Sequence, residues 1–335
     1  MKVALFQFFP PTLWTPGGGE TQLQKTYEAL KRRGIDVELF DVWSRKKYDI
    51  IHVFGSTYQL SDFVVTAKRL GMKVVDMPIS YTDKQWYVWS IARFIDKILP
   101  YPTLYTYRKR IYESSDVLIA GSNAEKSQLI KNFKIPENKF KVVYNAADAK
   151  LADTKPDLFI EKYGLKDFVL MVGRVSNHKG QIRLMKALDG CNLDLVFIGN
   201  MDPDDKEYFN EFQNECKKRK WVHYLGFLKN DSDLLSSAYA ACKVFALPSL
   251  NECSSLVLVE AGLSGSNIVT LKNETEYEYL RDFAYYCDPR SIESIREAVL
   301  KAYNAPKNDN LKNRLLKDFT WDAVAEKLER IYNEL

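Results

Sequence analysis

The sequence has few histidines and cysteines, and it lacks a long apolar run. No stretch approaches the roughly 20 consecutive apolar residues of a membrane-spanning helix, and the first residues enter a strand pattern without a small-residue cleavage site. We therefore expect neither an integral membrane protein nor a secreted one. The five cysteines never occur in CxxC spacing, and three histidines are few for a metal centre. These features favour a reducing cytoplasm, without a disulfide framework or a zinc site.

The composition is that of an ordinary globular protein. The chain has 335 residues, of which 46% are hydrophobic and 27% charged, and this length suffices for two domains. Residues 1–150 contain 23 Lys and Arg against 15 Asp and Glu, a net charge of +8, whereas residues 151–335 carry −4. A basic first half favours an anionic partner, such as a nucleic acid, an acidic glycan or an anionic membrane. The alternative is a solvated surface that carries lysines.

Short β-branched runs alternate with segments of helical period, which predicts parallel sheets built from βαβ units. A polar stretch at 145–157 is typical of a linker between two doubly wound α/β domains. The predicted strands are Val3–Phe8, Val37–Phe40, Ile50–Phe54, Lys73–Asp76, Val117–Ala120, Lys141–Tyr144, Phe168–Val172, Leu193–Ile198, Val222–Tyr224, Val244–Leu247, Ser266–Thr270 and Ala284–Cys287.

Ligands of open parallel sheets bind outside the carboxyl ends of the strands, so the residues after each strand are the candidates. Gly17, Gly18 and Gly19 follow the first strand and open a helix. Glycines let backbone N–H groups approach a ligand, and a helix N-terminus favours an anion. A plain tight turn is the alternative.

A second candidate loop runs from Gly173 to Gly180, directly after a strand. It lacks the Lys-Ser or Lys-Thr ending of a P-loop, which disfavours simple ATP hydrolysis. It carries Arg174 and Lys179, and arginine can hold a phosphate in bidentate fashion while lysine acts as a point charge. The alternative is two solvated loop cations.

The third candidate joins a loop carboxylate, Glu252, to a helix carboxylate, Glu260, eight positions later. The two can face different parts of one extended ligand. The N–H groups of Ser254, Ser255 and Leu256 are expected at the helix N-terminus, where they suit a diphosphate.

The segment from Glu252 to Glu260 resembles the E-x7-E motif of family 4 retaining glycosyltransferases of GT-B fold. Other segments resemble that family in the same order along nearly the whole chain. They are the glycine loop Gly17–Glu20, the segment Asn145–Asp148 at the domain junction, the G-R-x4-K-G loop Gly173–Gly180, and Phe319–Trp321 at the start of the last helix.

The resemblance implies a GT-B fold, with two Rossmann-like doubly wound domains facing a cleft. Residues 1–150 would bind the acceptor, 151–315 would bind a nucleotide diphosphate sugar, and 316–335 would form a helix that crosses back to the first domain. The implied activity is a metal-independent, retaining transfer of the hexosyltransferase type to a glycan or lipid-linked acceptor, in polysaccharide biosynthesis.

The resemblance also implies roles for single residues. Arg174 and Lys179 would stabilise the leaving diphosphate in place of a metal, Glu252 would face hydroxyls of the transferred sugar, and Glu260 would accept hydrogen bonds from the ribose. No cofactor is expected, and a UDP-sugar is favoured over a GDP-sugar as donor. The remaining donor-site residues are Gly173, Gly199, Phe227, Ser254, Ser255 and Leu256.

The sequence departs from the family in two places. Many members carry a histidine after the fourth strand, where residues 76–81 have none, and Cys253 stands where glycine is common. Two alternatives therefore remain open. One is a non-catalytic subunit that stabilises a partner transferase, and the other is a nucleotide-sugar hydrolase or epimerase on the same fold.

Residues 84–110 combine aromatic, aliphatic and basic side chains. Such a segment can lie at a membrane interface, which predicts peripheral association with the inner membrane face rather than a nucleic-acid partner. The alternative is that the same aromatic residues pack into the domain core.

Overall fold

The fold is given by a computed structural model that describes residues 1–8, 17–82 and 86–335. Its first elements are β1 (Lys2–Phe6), α1 (Gly18–Arg32), β2 (Asp36–Leu39), β3 (Ile50–Phe54), α2 (Leu60–Arg69), β4 (Lys73–Met77), α3 (Trp86–Ile98), α4 (Leu104–Ser114), β5 (Val117–Ala120), α5 (Asn123–Phe133) and β6 (Phe140–Val142).

The chain continues with α6 (Asp157–Tyr163), β7 (Val169–Val172), α7 (Gln181–Leu188), β8 (Leu195–Ile198), α8 (Lys206–Lys217), β9 (Val222–Tyr224), α9 (Asp233–Ala241), β10 (Val244–Leu247), α10 (Leu256–Leu263), β11 (Asn267–Leu271), α11 (Glu274–Leu280), β12 (Ala284–Cys287), α12 (Ile292–Asn304), α13 (Asn310–Asp318) and α14 (Trp321–Asn333).

Every strand predicted from the sequence is present, and the ends differ from the prediction by about two residues or fewer. The prediction succeeds because both faces of a parallel sheet are covered, so its strands are nearly continuous apolar runs. All four residues of β7 and of β10 are buried.

The chain forms two compact units. One contains Met1–Asn145 together with Trp321–Leu335, and the other contains Ala146–Thr320. The division falls between Asn145 and Ala146, and α13 still belongs to the second unit.

The first unit has a parallel sheet in the order β2-β1-β3-β4-β5-β6. The strand order reverses between β1 and β3, as in flavodoxin-like sheets. Helix α14 returns to this unit, where the Tyr332 hydroxyl lies 2.6 Å from Nδ1 of the buried His52. Arg32 of α1 also pairs with Asp322 at 2.8 Å.

The second unit has a parallel sheet in the order β12-β11-β10-β7-β8-β9, which is the Rossmann order. Its order reverses between β7 and β10, which pair directly. The predicted α/β class with two doubly wound sheets is confirmed. The loops after β7 and β10 therefore start beside each other, at the point where such sheets bind ligands.

Within the described ranges, no helix combines the length and the apolar character needed to cross a bilayer.

Candidate functional site

The loops that follow β7 and β10 are joined by backbone and side-chain hydrogen bonds. The N–H of Leu250 donates to the carbonyl of His178 at 2.9 Å. The His178 ring nitrogen Nε2 lies 2.7 Å from the carbonyl oxygen of Asn251. His178 thus connects the two loops.

The same two loops bring Lys179 and Glu252 together. The Lys179 Nζ donates to Glu252 Oε1 at 2.6 Å, and the two side chains are 24% and 7% exposed. Gly180, with φ +86°, is the N-cap of α7, so Lys179 lies immediately before a helix N-terminus. The arrangement places one cation and one carboxylate of the predicted site in direct contact, 73 positions apart in the chain.

Arg174 is the more exposed of the two predicted cations. Its side chain is 38% exposed, and its Nη1 lies 3.7 Å from Asp202 Oδ2. At that distance the contact is an ion pair rather than a hydrogen bond. A guanidinium held this loosely can turn toward an anionic ligand at little cost.

Gly173 and Gly199 end the neighbouring strands β7 and β8, and their backbones nearly touch. A Cβ atom on Gly199 would lie 2.0 Å from the carbonyl oxygen of Gly173. The Gly199 N–H donates to the carbonyl of Gly226 at 2.8 Å, next to the exposed ring of Phe227. The predicted donor residues from three strand ends therefore share one edge of the sheet.

The start of α10 differs from the sequence interpretation in one respect. Ser254 has φ +57° and Ser255 is the N-cap of the helix. The backbone N–H groups of both serines lie near the carboxyl group of Glu276 and lower its pKa. The backbone donors that the sequence predicts for a diphosphate therefore lie beside a buried protein carboxyl group, and their role in binding a diphosphate stays a prediction.

Glu260 lies half-buried on α10, one turn beyond the buried Leu256. Its Oε2 accepts a hydrogen bond of 2.7 Å from the hydroxyl of Tyr239 on α9. Burial and the neighbouring Glu260 carboxylate raise the pKa of Tyr239 well above its usual value. The tyrosine therefore stays a hydrogen-bond donor and orients Glu260.

In the first unit, the glycine loop is tied to its own helix. The Gly17 N–H donates to Glu20 Oε2 at 2.8 Å, and Gln7 Nε2 donates to Glu20 Oε1 at 3.0 Å. Gly18 is exposed, and a Cβ atom on it would have no neighbour within 4 Å among the described atoms. The Cβ position of Gly19 lies 4.0 Å from the side chain of Ile79.

The segment after β4, which lacks the family's histidine, begins beside a buried carboxyl group. Asp76 is fully buried, and neither of its oxygens hydrogen-bonds to a described residue. Burial and the nearby Glu125 raise its pKa well above the usual value. Glu125 accepts the N–H of Ser80 at 2.6 Å and that of Gly121 at 2.7 Å.

Sequence reasoning missed Glu276, Tyr239 and Asp202. A usable signal existed for Glu276, because Asn273-x-x-Glu276 directly follows a predicted strand. That spacing is typical of a capping box, in which the glutamate would bond to its own helix. In the structure, the Asn273 Oδ1 accepts the Glu276 N–H at 2.7 Å, but the glutamate carboxyl reaches α10 instead.

Across the described residues, no group of three or more His, Cys, Asp and Glu side chains is placed to hold a metal ion.

Comparison with known proteins shows similarity to glycosyltransferases in both halves of the chain. Residues 158–318 match the family of glycosyl transferases group 1, and residues 38–151 match glycosyltransferase family 4. The fold is that of GT-B glycosyltransferases. HepE from Anabaena, solved in complex with UDP, superposes with a TM-score of 0.73 at 18% identity, covering 100% of both chains.

The chain is similar in sequence to family 4 glycosyltransferases. It is 29% identical over 240 residues to a glycosyltransferase of Methanocaldococcus jannaschii. This alignment covers 66% of this chain and 60% of that protein. It is also 29% identical over 152 residues to an N-acetylgalactosaminyltransferase of Campylobacter jejuni, covering 45% of this chain and 40% of the relative. The chain thus matches less than two thirds of the length of either relative.

Proposed function

We propose that the chain transfers a sugar from a nucleotide diphosphate sugar to a glycan or lipid-linked acceptor, with retention of configuration. The observation that carries this proposal is the Lys179–Glu252 contact, because it joins the predicted diphosphate loop to the predicted sugar-binding carboxylate at the switch point of the second sheet. In this proposal the second unit binds the donor and the first unit binds the acceptor.

The charges that develop during sugar transfer explain the proposed roles of the two cations. Departure of the diphosphate builds negative charge on its oxygens and positive charge on the anomeric carbon, so preorganised cations lower the barrier. The ammonium of Lys179 has three N–H groups, so it can keep Glu252 and still donate to a phosphate oxygen. Arg174, held loosely by Asp202, supplies the second cation.

The two carboxylates divide the donor between them. Glu260, oriented by Tyr239, accepts hydrogen bonds from the ribose hydroxyls, and Glu252 faces the hydroxyls of the transferred sugar. Gly199 and Phe227 flank the base. UDP is the nucleotide that we favour, and HepE, the structural neighbour, was solved with UDP and with UDP-glucose.

We further propose that no divalent metal is required. The cations of Arg174 and Lys179 take the place of a metal beside the diphosphate, and no cofactor is needed for transfer from an activated donor.

The acceptor side of the proposal includes a membrane surface on α3. The outer face of this helix exposes apolar side chains along its whole length, including Ile91 at 54%, Phe94 at 63% and Ile98 at 64%. Trp89 and Ala92, on the other side, pack against the core of the first unit. The full exposed set on α3 is Tyr87, Val88, Ile91, Phe94, Ile95 and Ile98.

Basic residues lie on the same helix and on the next one. Arg93 and Lys97 lie on α3, and Arg108, Lys109 and Arg110 lie on α4; Lys84 falls outside the described residues. An apolar helix face accompanied by basic residues is suited to an anionic lipid surface. The named substrate of the Campylobacter relative contains diphospho-undecaprenol, which supports a lipid-linked acceptor at the inner membrane face.

A thermal-shift panel with UDP, GDP, ADP and their sugar conjugates tests the proposal. A nucleotide at about 100 times its dissociation constant stabilises the protein by roughly 2.7 kcal/mol. Donor turnover is then measured with and without acceptor, in the presence of excess EDTA. Turnover without acceptor would favour a hydrolase or epimerase, loss of activity in EDTA would reject metal independence, and no nucleotide binding would reject the proposal.

A further inference from the structure

Glu276 is a buried carboxyl group that the roles assigned above leave unused. It lies in the first turn of α11 and is 1% exposed. Its charge interacts with those of Glu252 and Lys179. One partly exposed cation and two buried carboxyl groups therefore lie close enough to influence one another.

Hydrogen bonds through Asn273 connect Glu276 to the loop that carries Glu252. The N–H groups of Ser254 and Ser255, at the start of α10, lie near its carboxyl group and lower its pKa. The Asn273 side chain accepts the Glu276 N–H at 2.7 Å and donates to the carbonyl of Glu252 at 3.1 Å. Glu276 is thus connected through Asn273 to the loop that carries Glu252.

One carboxyl oxygen of Glu276 has no protein partner. Its Oε1 is buried and accepts or donates no hydrogen bond within the described chain. Buried polar atoms in folded proteins almost always have a partner, so an exception calls for a water or a ligand. The position of Oε1, near Lys179 and Glu252, makes the donor the natural partner.

We propose that Glu276 binds the donor as a neutral carboxylic acid, with the Oε1 hydroxyl donating a hydrogen bond to an oxygen of the sugar diphosphate. This inference rests on the proposed function. A neutral acid has a hydrogen to donate, whereas an ionised carboxylate could only accept and would repel the diphosphate.

The surroundings of Glu276 favour this protonation state. Burial raises its pKa most, Glu252 raises it further, and Lys179 and the backbone N–H groups of Ser254 and Ser255 lower it, with a result of about 8. Tyr286 of β12 also faces this carboxyl group, and its own pKa is raised by burial and by Glu276. The acid is therefore neutral at pH 7 and ionises as the pH rises through about 8.

The test is UDP binding measured by calorimetry from about pH 6.5 to about pH 9.5, across the titration of the acid. The wild type should lose affinity as the pH rises through this range. Glu276→Gln cannot ionise but still offers a donor and an acceptor, so it should bind UDP at pH 7 within about threefold of the wild type and keep that affinity at high pH. Glu274→Gln, on the exposed side of the same helix, should follow the wild type.

A second measurement needs no variant. If UDP prefers the neutral acid, its binding to the wild type near pH 8 draws a fraction of a proton from the buffer, on the order of one half. Calorimetry in buffers of different ionisation enthalpy measures this uptake.

Three outcomes would overturn the inference. They are zero proton uptake near pH 8, a Glu276→Gln variant that loses UDP affinity with pH as the wild type does, and a folded variant that binds UDP poorly at every pH. Each of these leaves the proposed function standing, because the wild type still binds UDP. Failure of the wild type to bind any nucleotide would reject both proposals.

Discussion

The backbone of Gly199 lies so close to the Gly173 carbonyl that no side chain fits between them. A Cβ atom on Gly199 would be 2.0 Å from that oxygen, and Gly199 also has φ +149°. The two residues end adjacent strands, and the distance between them sets how far the loops after β7 and β8 can approach each other.

Gly199→Ala should therefore destabilise the second unit by about 3 kcal/mol, because the two strand ends must separate. Gly190→Ala is the control, since Gly190 has φ +78° but open space around its Cβ position. It should cost only about 1 kcal/mol of backbone strain. Urea unfolding of both variants measures the difference, and equal losses would show that the contact is unimportant.

Lys179→Ala should lower turnover by roughly 10- to 100-fold, because it removes a charge-assisted contact worth about 1.5–3 kcal/mol and leaves the buried Glu252 without its cation. Arg174→Ala should destabilise the fold less than Lys179→Ala does, because the Arg174 side chain is more exposed than that of Lys179. Lys186→Ala, exposed on α7, is the control for lost positive charge. Steady-state transfer rates of the folded variants test this prediction. A wild-type rate for Lys179→Ala would reject the role of Lys179 at the diphosphate.

The two donor carboxylates should separate binding from transfer. Glu260→Gln should weaken UDP binding, because an amide accepts ribose hydroxyl hydrogens less strongly than a carboxylate. Tyr239→Phe should weaken it less, since only the orientation of Glu260 is lost. Glu252→Gln should keep UDP affinity and lose most transfer. Calorimetry with UDP measures binding, and a transfer assay measures turnover. Glu293→Gln on α12 is the control. Equal loss of UDP affinity in Glu260→Gln and Glu252→Gln would contradict the separate roles of these two carboxylates.

Membrane binding should depend on α3. Replacing both Phe94 and Ile98 by Ser should weaken binding to anionic vesicles about tenfold or more, because burial of each side chain contributes about 1.5–3 kcal/mol. Leu158→Ser, an exposed apolar position in the second unit, should have no effect. In a flotation assay, equal recovery of all three proteins with anionic and neutral vesicles would exclude this surface.

Asp76 should make the protein less stable at higher pH. Its folded-state pKa lies well above the ordinary 3.8, so the folded state binds the proton more tightly than the unfolded state. Stability is therefore highest below the unfolded pKa and falls as the pH rises toward the folded pKa. Asn cannot ionise, so Asp76→Asn should not lose stability in this way. Its melting temperature should exceed that of the wild type by more at pH 8 than at pH 5.

The exposed Asp36→Asn is the control for Asp76. A melting temperature of Asp76→Asn that falls with pH as steeply as that of the wild type would show that other groups dominate.

The strands were predictable because burial on both faces leaves a local mark in the sequence, and the loops after Val172 and Leu247 could be placed from it. The contact between Lys179 and Glu252 could not be derived from spacing, because it depends on which strands pair. Glu276 was missed for a related reason. Its local pattern indicates a helix cap, and only the tertiary fold turns its carboxyl group toward α10.

The apolar spacing of α3 left two outcomes open, core packing or an exposed face. The structure contains both, since Trp89 packs inward while Phe94 and Ile98 lie outward. A periodic pattern gives the faces of a helix but does not say which face meets the core.

The hydrogen bonds between His178 and residues 250–251 bear on enzyme engineering. They connect residues 173–180 with residues 248–255, so the shape of each loop depends on contacts with the other. A chimera built to alter donor preference must graft both segments together. Mutational libraries aimed at the nucleobase are better directed to the neighbourhood of Phe227, which lies outside these two loops and is exposed.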